Sequence, residues 1–274
     1  MTQQYGRQGD EYILTPEEIA QYHREGYITL RGVMTEDELA PLEAEFDRFI
    51  RGEVGGMGKD FCDMSGPFDR EFENFSLVNA VLPRHYEPTL RDNLYERRAA
   101  SISRQLLGES ATLDYDQFLA KRPAKPDAVF TMHQDLGYWP TGTPEPLTAT
   151  CSLALDDADL ENGCLKVVPG SQKQGLRPHR PLMGEDRSKS HILSVELADA
   201  DTVVDLPLKR GDITVHDELI VHGSGGNTSP DRWRRTYIVA FRSKACVDFE
   251  RSIGFTHSHN DTITWETHLG ALTA

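Results

Sequence analysis

The sequence predicts a mainly β fold with flanking helices, on three observations. From residue 111 onward, short runs rich in β-branched and aromatic residues follow one another at fairly even spacing, broken by Gly, Pro and Asn clusters. Helical periodicity with capping signals is densest before that point. No strand–helix–strand alternation appears, which argues against a parallel doubly wound sheet. The expected organisation is one domain: a helical N-terminal third (about 1–110), a sandwich- or barrel-like β-core (about 111–245) and a C-terminal extension (about 246–274).

The elements follow in order. "TPEEIAQYHRE", residues 15–25, reads as a helix. Thr15 is the N-cap, Pro16 sits at N1, Glu18 closes a capping box and Gly26 ends it. "YITL" follows as a strand. Thr35 and Glu38 repeat the cap, and Leu39, Leu42, Phe46, Phe49 and Ile50 form an apolar stripe at helical spacing, read as core. "GEVGGMGKDFCDMSG", residues 52–66, has five glycines and no periodicity, so a loop is expected, with a lid over a site as one reading. Residues 88–107 read as a third helix ending at Gly108. The strand-like runs are "ATLDYDQFLAK", "AVFTMHQ", "LTATCSLAL", "CLKVV", "DTVVDLPL", "DITVHDELIVH" and "RTYIVAFR".

Composition narrows the function classes. The net charge is −15, from 29 basic against 44 acidic residues, so phosphate backbones and anionic membranes are poor partners. The four cysteines form no C-x-x-C pair, which argues against a zinc knuckle or a dithiol redox motif. The polar N-terminus and the lack of a long apolar run predict a reduced, cytoplasmic protein.

Chemistry concentrates in "TMHQDLGYWP", residues 131–140. Strand side chains alternate with period two, so His133 and Asp135 would share a face and Gln134 take the other. His222, in "DELIVHGSGGN", closes a strand-like run at a Gly-rich turn. Two histidines and one carboxylate leave positions open on a metal, which suits a non-haem Fe(II) that must bind a co-substrate and O2 together. Other histidines carry less signal. His257 and His259 copy the i, i+2 spacing without a carboxylate and read as a decoy, His191 and His268 as exposed, and His216 as a wall residue of the barrel.

The segments "QFLAKRP", "MHQDLGYWP", "LALDDADLENGCLKVVPGSQKQG", "LKRGDITVHDELIVHGSGGN" and "RWRRTYIVAF", in this order and spacing, resemble the phytanoyl-CoA dioxygenase family of Fe(II)/2-oxoglutarate oxygenases. The resemblance implies a double-stranded β-helix (jelly-roll, cupin-like) core, an iron triad and 2-oxoglutarate and O2 as co-substrates. It places the triad on His133, Asp135 and His222. The arginine for the 2-oxoglutarate C5 carboxylate falls on Arg234, with Arg232 as a rival and Arg235 on the opposite face. Lys121 and Gln117 would border the co-substrate or substrate pocket. Lys59, Arg84, Tyr138 and Trp139 are candidate substrate contacts. Many relatives carry a tryptophan where this chain has Ser152, which changes the expected pocket shape. Asp156 and Asp157 read as turn hydrogen-bonders. The implied activity is hydroxylation of a small or medium-sized metabolite with release of succinate and CO2, favoured over halogenation because Asp135 is present. The alternative is a metal-binding jelly roll without turnover, acting as a sensor or structural protein.

Overall fold

The computed structural model describes residues 4–140, 142–145, 147–183 and 189–261. His268 and the end of the expected C-terminal extension lie outside them.

Local sequence sets the helices. Helix α1 (Pro16–Glu25) begins with a reciprocal cap: Glu18 N donates to Thr15 Oγ1 at 3.2 Å, and Thr15 N donates to Glu18 Oε2 at 2.7 Å. It ends at Gly26, whose φ of 80° is the left-handed region that glycine enters without a Cβ clash. Helix α2 (Glu36–Ile50) buries the predicted stripe, Leu39, Leu42, Phe46, Phe49 and Ile50. Helix α3 (Leu94–Leu107) starts later than the sequence pattern implied. A 3-10 turn at Pro88–Leu90 precedes it, Asp92 takes a φ of 56°, and Asn93 then caps the helix by accepting from Glu96 N at 3.0 Å.

Besides two short two-stranded ribbons (Gly6–Gln8 with Glu11–Ile13, and Arg180–Pro181 with Leu193–Ser194), the strands are β1 (Tyr27–Leu30), β2 (Phe61–Asp63), β3 (Leu77–Val81), β4 (Ala111–Lys121), β5 (Phe130–His133), β6 (Thr148–Ala154), β7 (Leu165–Val167), β8 (Val204–Leu206), β9 (Ile213–His216), β10 (His222–Ser224) and β11 (Arg234–Ser243), and β1 to β11 build the core. They form two antiparallel sheets of a jelly-roll core, seven strands in the order β1-β9-β6-β11-β4-β3-β2 and four in the order β8-β7-β10-β5. One face of the large sheet packs on the helices: Phe118 of β4 meets Phe46 and Phe49 of α2, with ring centroids 4.4 and 5.2 Å apart. The other face lines a cavity.

Strand alternation on β11 divides its residues between these faces. Arg234, Thr236 and Ile238 line the cavity. Arg235 turns to the helix side, where it pairs with Asp156, with Asp47 at 2.8 Å and with Glu43 at 2.5 Å. Asp156 also accepts from Arg235 N, and Asp157 from Arg210 N, so both aspartates stabilise turns and strand ends.

Residues 52–66 differ from the loop expected of them. Gly58–Asp60 is a 3-10 turn, and β2 adds an edge strand to the large sheet, with Met57, Asp60, Cys62 and Met64 buried. The glycines cluster before this strand and hid a three-residue run too short to show periodicity. After β11, a helix α4 (Lys244–Ser252) leads into a segment that returns to the cavity. Among the described residues, no helix is long and apolar enough to cross a membrane.

Candidate active site

His133 ends β5 and His222 opens β10, and the two are direct cross-strand partners. A register shift between His222 and Ser224 accompanies that pairing. The chain then leaves β5 in a 3-10 turn, Asp135–Tyr138, which swings Asp135 back beneath the two rings. Gln134 is the staple on the other side. Its side chain donates to the carbonyls of Gly175 (2.9 Å) and Leu219 (2.6 Å) and accepts from Arg177 N (2.7 Å), and its own N–H donates to His179 Nε2 (3.0 Å). The H-x-D spacing therefore works through a strand end and a turn rather than through a continuous strand.

The three groups converge. Asp135 Oδ1 lies 3.5 Å from His133 Nε2 and 3.4 Å from His222 Nε2. The ring nitrogens facing away are held by backbone: His133 Nδ1 is 2.7 Å from Thr131 O and His222 Nδ1 is 3.0 Å from Ile220 O. A carbonyl only accepts, so each Nδ1 carries a proton and each Nε2 is turned to the site; Asp135 raises the His222 pKa, so a metal bound there would displace an Nε2 proton. The second carboxylate oxygen, Oδ2, is held by His216 Nε2 at 3.3 Å and Thr150 Oγ1 at 3.4 Å. Burial raises the Asp135 pKa, but the facing His222, His133 and His216 outweigh it and keep the carboxyl well below the usual carboxylate range. Burial lowers the His133 pKa, so its imidazole is neutral, as a metal ligand must be.

These residues line a cavity of about 270 Å³ that also contains Arg234, Gln117, Ser152, Tyr138 and Trp139. Arg234 is 6% exposed, its Nε has no hydrogen-bond partner, and among the described residues no carboxylate pairs with it. Burial lowers its pKa to about 10. A buried, unpaired guanidinium is costly, and its fork geometry calls for a carboxylate ligand. The donor set and this orphaned cation fit Fe(II) and a dicarboxylate co-substrate in one chamber.

Other candidates fall elsewhere. Lys121 is the cross-strand partner of Arg234 but does not line the cavity. Its ammonium is buried and donates to Ala128 O (2.6 Å) and Gly225 O, and burial, reinforced by Arg234, puts its pKa well below the usual lysine value. Arg232 pairs with Asp159 and Glu161, and Arg84 with Glu96, away from the lining residues. Lys59, Tyr138 and Trp139 do line it. Three histidines read as bland also line it: His191, His257 and His259. His191 is half-buried, stacked on Tyr138 with centroids 4.6 Å apart. The i, i+2 spacing of His257 and His259 gave no hint of this placement, because their neighbours come from distant segments. His216 had a local signal, since it precedes a turn that ends at His222.

The sequence model of phytanoyl-CoA dioxygenase (PhyH) matches residues 22–236. The chain belongs to the phytanoyl-CoA dioxygenase family. Its members are Fe(II)/2-oxoglutarate-dependent oxygenases, and this chain is such a dioxygenase. Mouse peroxisomal phytanoyl-CoA dioxygenase is 24% identical over 241 residues, covering 86% of this chain and 71% of that protein. Ectoine dioxygenase of Bordetella bronchiseptica is 25% identical over 246 residues, covering 85% and 77%. Among solved structures, EvdO2 from Micromonospora carbonacea, in complex with 2-oxoglutarate, superposes with a TM-score of 0.67 at 25% identity over 84% of this chain and 91% of that one. EctD from S. alaskensis, at 20% identity and a TM-score of 0.64, shares the fold.

Proposed function

We propose that this family member is a hydroxylase of a small or medium-sized organic metabolite, working as one catalytic unit. His133, Asp135 and His222 would hold Fe(II), and Arg234 would take the C5 carboxylate of 2-oxoglutarate in two parallel hydrogen bonds. Bound there, the metal and co-substrate supply the oxidative chemistry: one O2 is consumed, 2-oxoglutarate leaves as succinate and CO2, and a substrate C–H becomes C–OH. The protein's own part is positional. Thr131 and Ile220 carbonyls fix the imidazole tautomers, His216 and Thr150 hold Asp135, and Gln134 fastens the turn beneath. Gln117 reaches the same chamber and is oriented by Asn79. Lys121 lies beside Arg234 as its cross-strand partner, its amine held by the Ala128 and Gly225 carbonyls.

The observation that carries this reading is the unpaired Arg234 guanidinium in the same cavity as the His–Asp–His cluster. The test is anaerobic binding of Fe(II) and 2-oxoglutarate, followed by succinate release on exposure to air. Iron-dependent succinate formation, even slow and uncoupled from any substrate, is expected. Tight binding of both with no succinate under any substrate panel would make the protein a sensor instead, and no binding of 2-oxoglutarate would overturn the reading outright.

A further inference from the structure

The cavity carries cations that the iron and 2-oxoglutarate do not use. Its lining, among the described residues, includes Asp135, Arg234, Lys59, His257 and Asp261. Asp135 serves the triad and Arg234 the co-substrate. Asp261 is turned onto its own segment, accepting from Thr256 N at 2.7 Å and Thr256 Oγ1 at 2.8 Å. Lys59 and His257 remain.

His257 is built as a fixed cation. Its Nε2 lies 2.8 Å from Asp114 Oδ2 and 3.3 Å from Glu250 Oε2, and both carboxylates are fully buried. Two acids at one nitrogen require the ring to donate there, and burial, which favours neutral imidazole, is outweighed by Asp114, so the pKa is raised. Arg242 and Arg251 complete the cluster, and Glu218 pairs with Arg242 at 3.0 Å. Three acids and three cations meet here, with burial raising the Glu218 pKa to about 7. Of the six, His257 alone lines the cavity, so the negative charge stays behind the wall and the positive charge faces in. Guanidinium groups already occupy the carboxylates, which removes this cluster as a second metal site.

The ring is also held in place. It stacks on Tyr115 at 4.4 Å and meets Phe255 and Trp139 edge-on at 4.6 and 5.6 Å. Its backbone sits at a φ of 69°, the left-handed region, a strain of ~1–3 kcal/mol that persists only where the surroundings enforce it. Among the described residues, its Nδ1 makes no hydrogen bond, leaving one N–H free for a ligand. Lys59 is exposed, its Nζ 5.5 Å above the Phe68 ring, and pairs with no described carboxylate. It belongs to the same wall, because Asp60 accepts from His259 N at 2.6 Å and Lys59 O lies 3.2 Å from His259 Nδ1.

His257 is remote from Arg234. Tyr115, under the His257 ring, pairs with Ala240 on β11, whereas Arg234 opens that strand. At ~3.3 Å per residue the separation is on the order of 20 Å, too far for one 2-oxoglutarate to bridge. We propose that the substrate carries an anionic group, a carboxylate, phosphate or sulfate, bound by the Nδ1–H of His257 and the ammonium of Lys59. This rests on the oxygenase reading and adds the substrate class to it.

The experiment uses the full chain loaded with Zn(II), which is redox-inert, and saturating 2-oxoglutarate. Benzoate and its neutral counterpart benzamide are titrated in, followed by tryptophan fluorescence and by calorimetry. Benzoate should bind about tenfold more tightly than benzamide, a difference of ~1.4 kcal/mol. Lys59→Gln and His257→Gln should each erase most of that preference while leaving 2-oxoglutarate affinity unchanged. Because His257→Gln leaves Asp114 and Glu250 short of a partner, its melting is checked, and Lys59→Gln, at an exposed site, decides the matter alone where that variant fails to fold. Equal binding of the two probes, no benzoate binding, or a preference untouched by Lys59→Gln overturns the inference. Failure of 2-oxoglutarate itself to bind would instead strike the proposed function.

Discussion

His133 and His222 face each other across two antiparallel strands with ring centroids 4.2 Å apart, and both aim Nε2 at the same oxygen of Asp135. The backbone orients both imidazoles, because their Nδ1 protons are tied to carbonyls two residues back. Such preorganisation lowers the entropic cost of assembling the site. Asp135→Ala should therefore abolish Fe(II) binding while far-UV circular dichroism stays that of the parent protein. Anaerobic calorimetry with Fe(II) checks it. Retained affinity would mean that the metal sits elsewhere.

His216 should act through Asp135 rather than on the metal. Its Nε2 holds Oδ2, which leaves Oδ1 for the ion. Groups that orient a ligand from behind are worth about 10–100-fold in metal affinity. His216→Phe, similar in bulk and without the donor, should weaken Co(II) or Fe(II) binding by that factor and alter the Co(II) absorption spectrum. His216→Gln, which restores a donor, should recover part of both. An unchanged spectrum in the Phe variant would reduce His216 to packing.

Arg234→Leu should separate ligand binding from stability in opposite directions. The co-substrate loses its charge-assisted partner, so 2-oxoglutarate affinity should fall by ~2–5 kcal/mol with iron affinity nearly unchanged. The ligand-free protein should melt no lower, because a buried cation without a counter-ion has been removed. Paired calorimetry and thermal melts test both halves. A large loss of stability in the ligand-free variant would show that Arg234 has a structural partner.

Legibility in the sequence followed the range of the interactions. Capping boxes at Thr15 and the α2 stripe are set within a few residues, and both stand as read. The alternation that puts Arg234 in the cavity and Arg235 against Asp156 follows from strand geometry alone. The meeting of His133, Asp135 and His222 was legible because a strand end, a turn and a Gly-rich exit each leave a local trace. His257 left none. Its meaning depends on Asp114 in β4, Glu250 in α4 and a left-handed backbone, none of which a residue spacing encodes. Strand β2 was missed for a related reason: three residues are too few for a period, and the pairing with β3 defines them.

Asp116 carries a prediction for pH. It is buried against the helices, accepts from Tyr237 Oη and Arg84 N at 3.3 Å, and leaves Oδ1 without a partner. Burial, only partly offset by Arg84, raises its pKa to about 7. A raised folded pKa means that the native state binds the extra proton, so stability is complete below the unfolded value near 4 and is lost as pH rises through about 7. The loss is up to ~4 kcal/mol for one such group. Asp116→Asn should flatten the decline between pH 5 and 8 in urea unfolding and change little at pH 4. Parallel curves for variant and parent across that range would rule the assignment out.

Asp60 fastens the wall that the glycine-rich segment and the C-terminal segment build together. Its buried carboxylate accepts from Tyr86 Oη at 2.7 Å, Ser258 Oγ at 2.7 Å and His259 N at 2.6 Å. Hydrogen bonds to a charged acceptor are worth ~1.5–3 kcal/mol each, and removing the acceptor leaves three donors short of a partner. The exposed glycines at 52, 55 and 56 lie just before this anchor, where a protease could enter. In Asp60→Ala the Lys59 turn and His259 should come apart, so cleavage between residues 52 and 66 should accelerate in the ligand-free protein. Iron and 2-oxoglutarate affinity should hold, because the triad and Arg234 belong to other strands. Turnover should lose its coupling, with more succinate released per substrate hydroxylated, since the wall shields the reacting centre from water. Limited proteolysis and a succinate-to-product ratio measure the two effects separately. Faster cleavage with unchanged coupling would mean that this wall covers the cavity without sealing it.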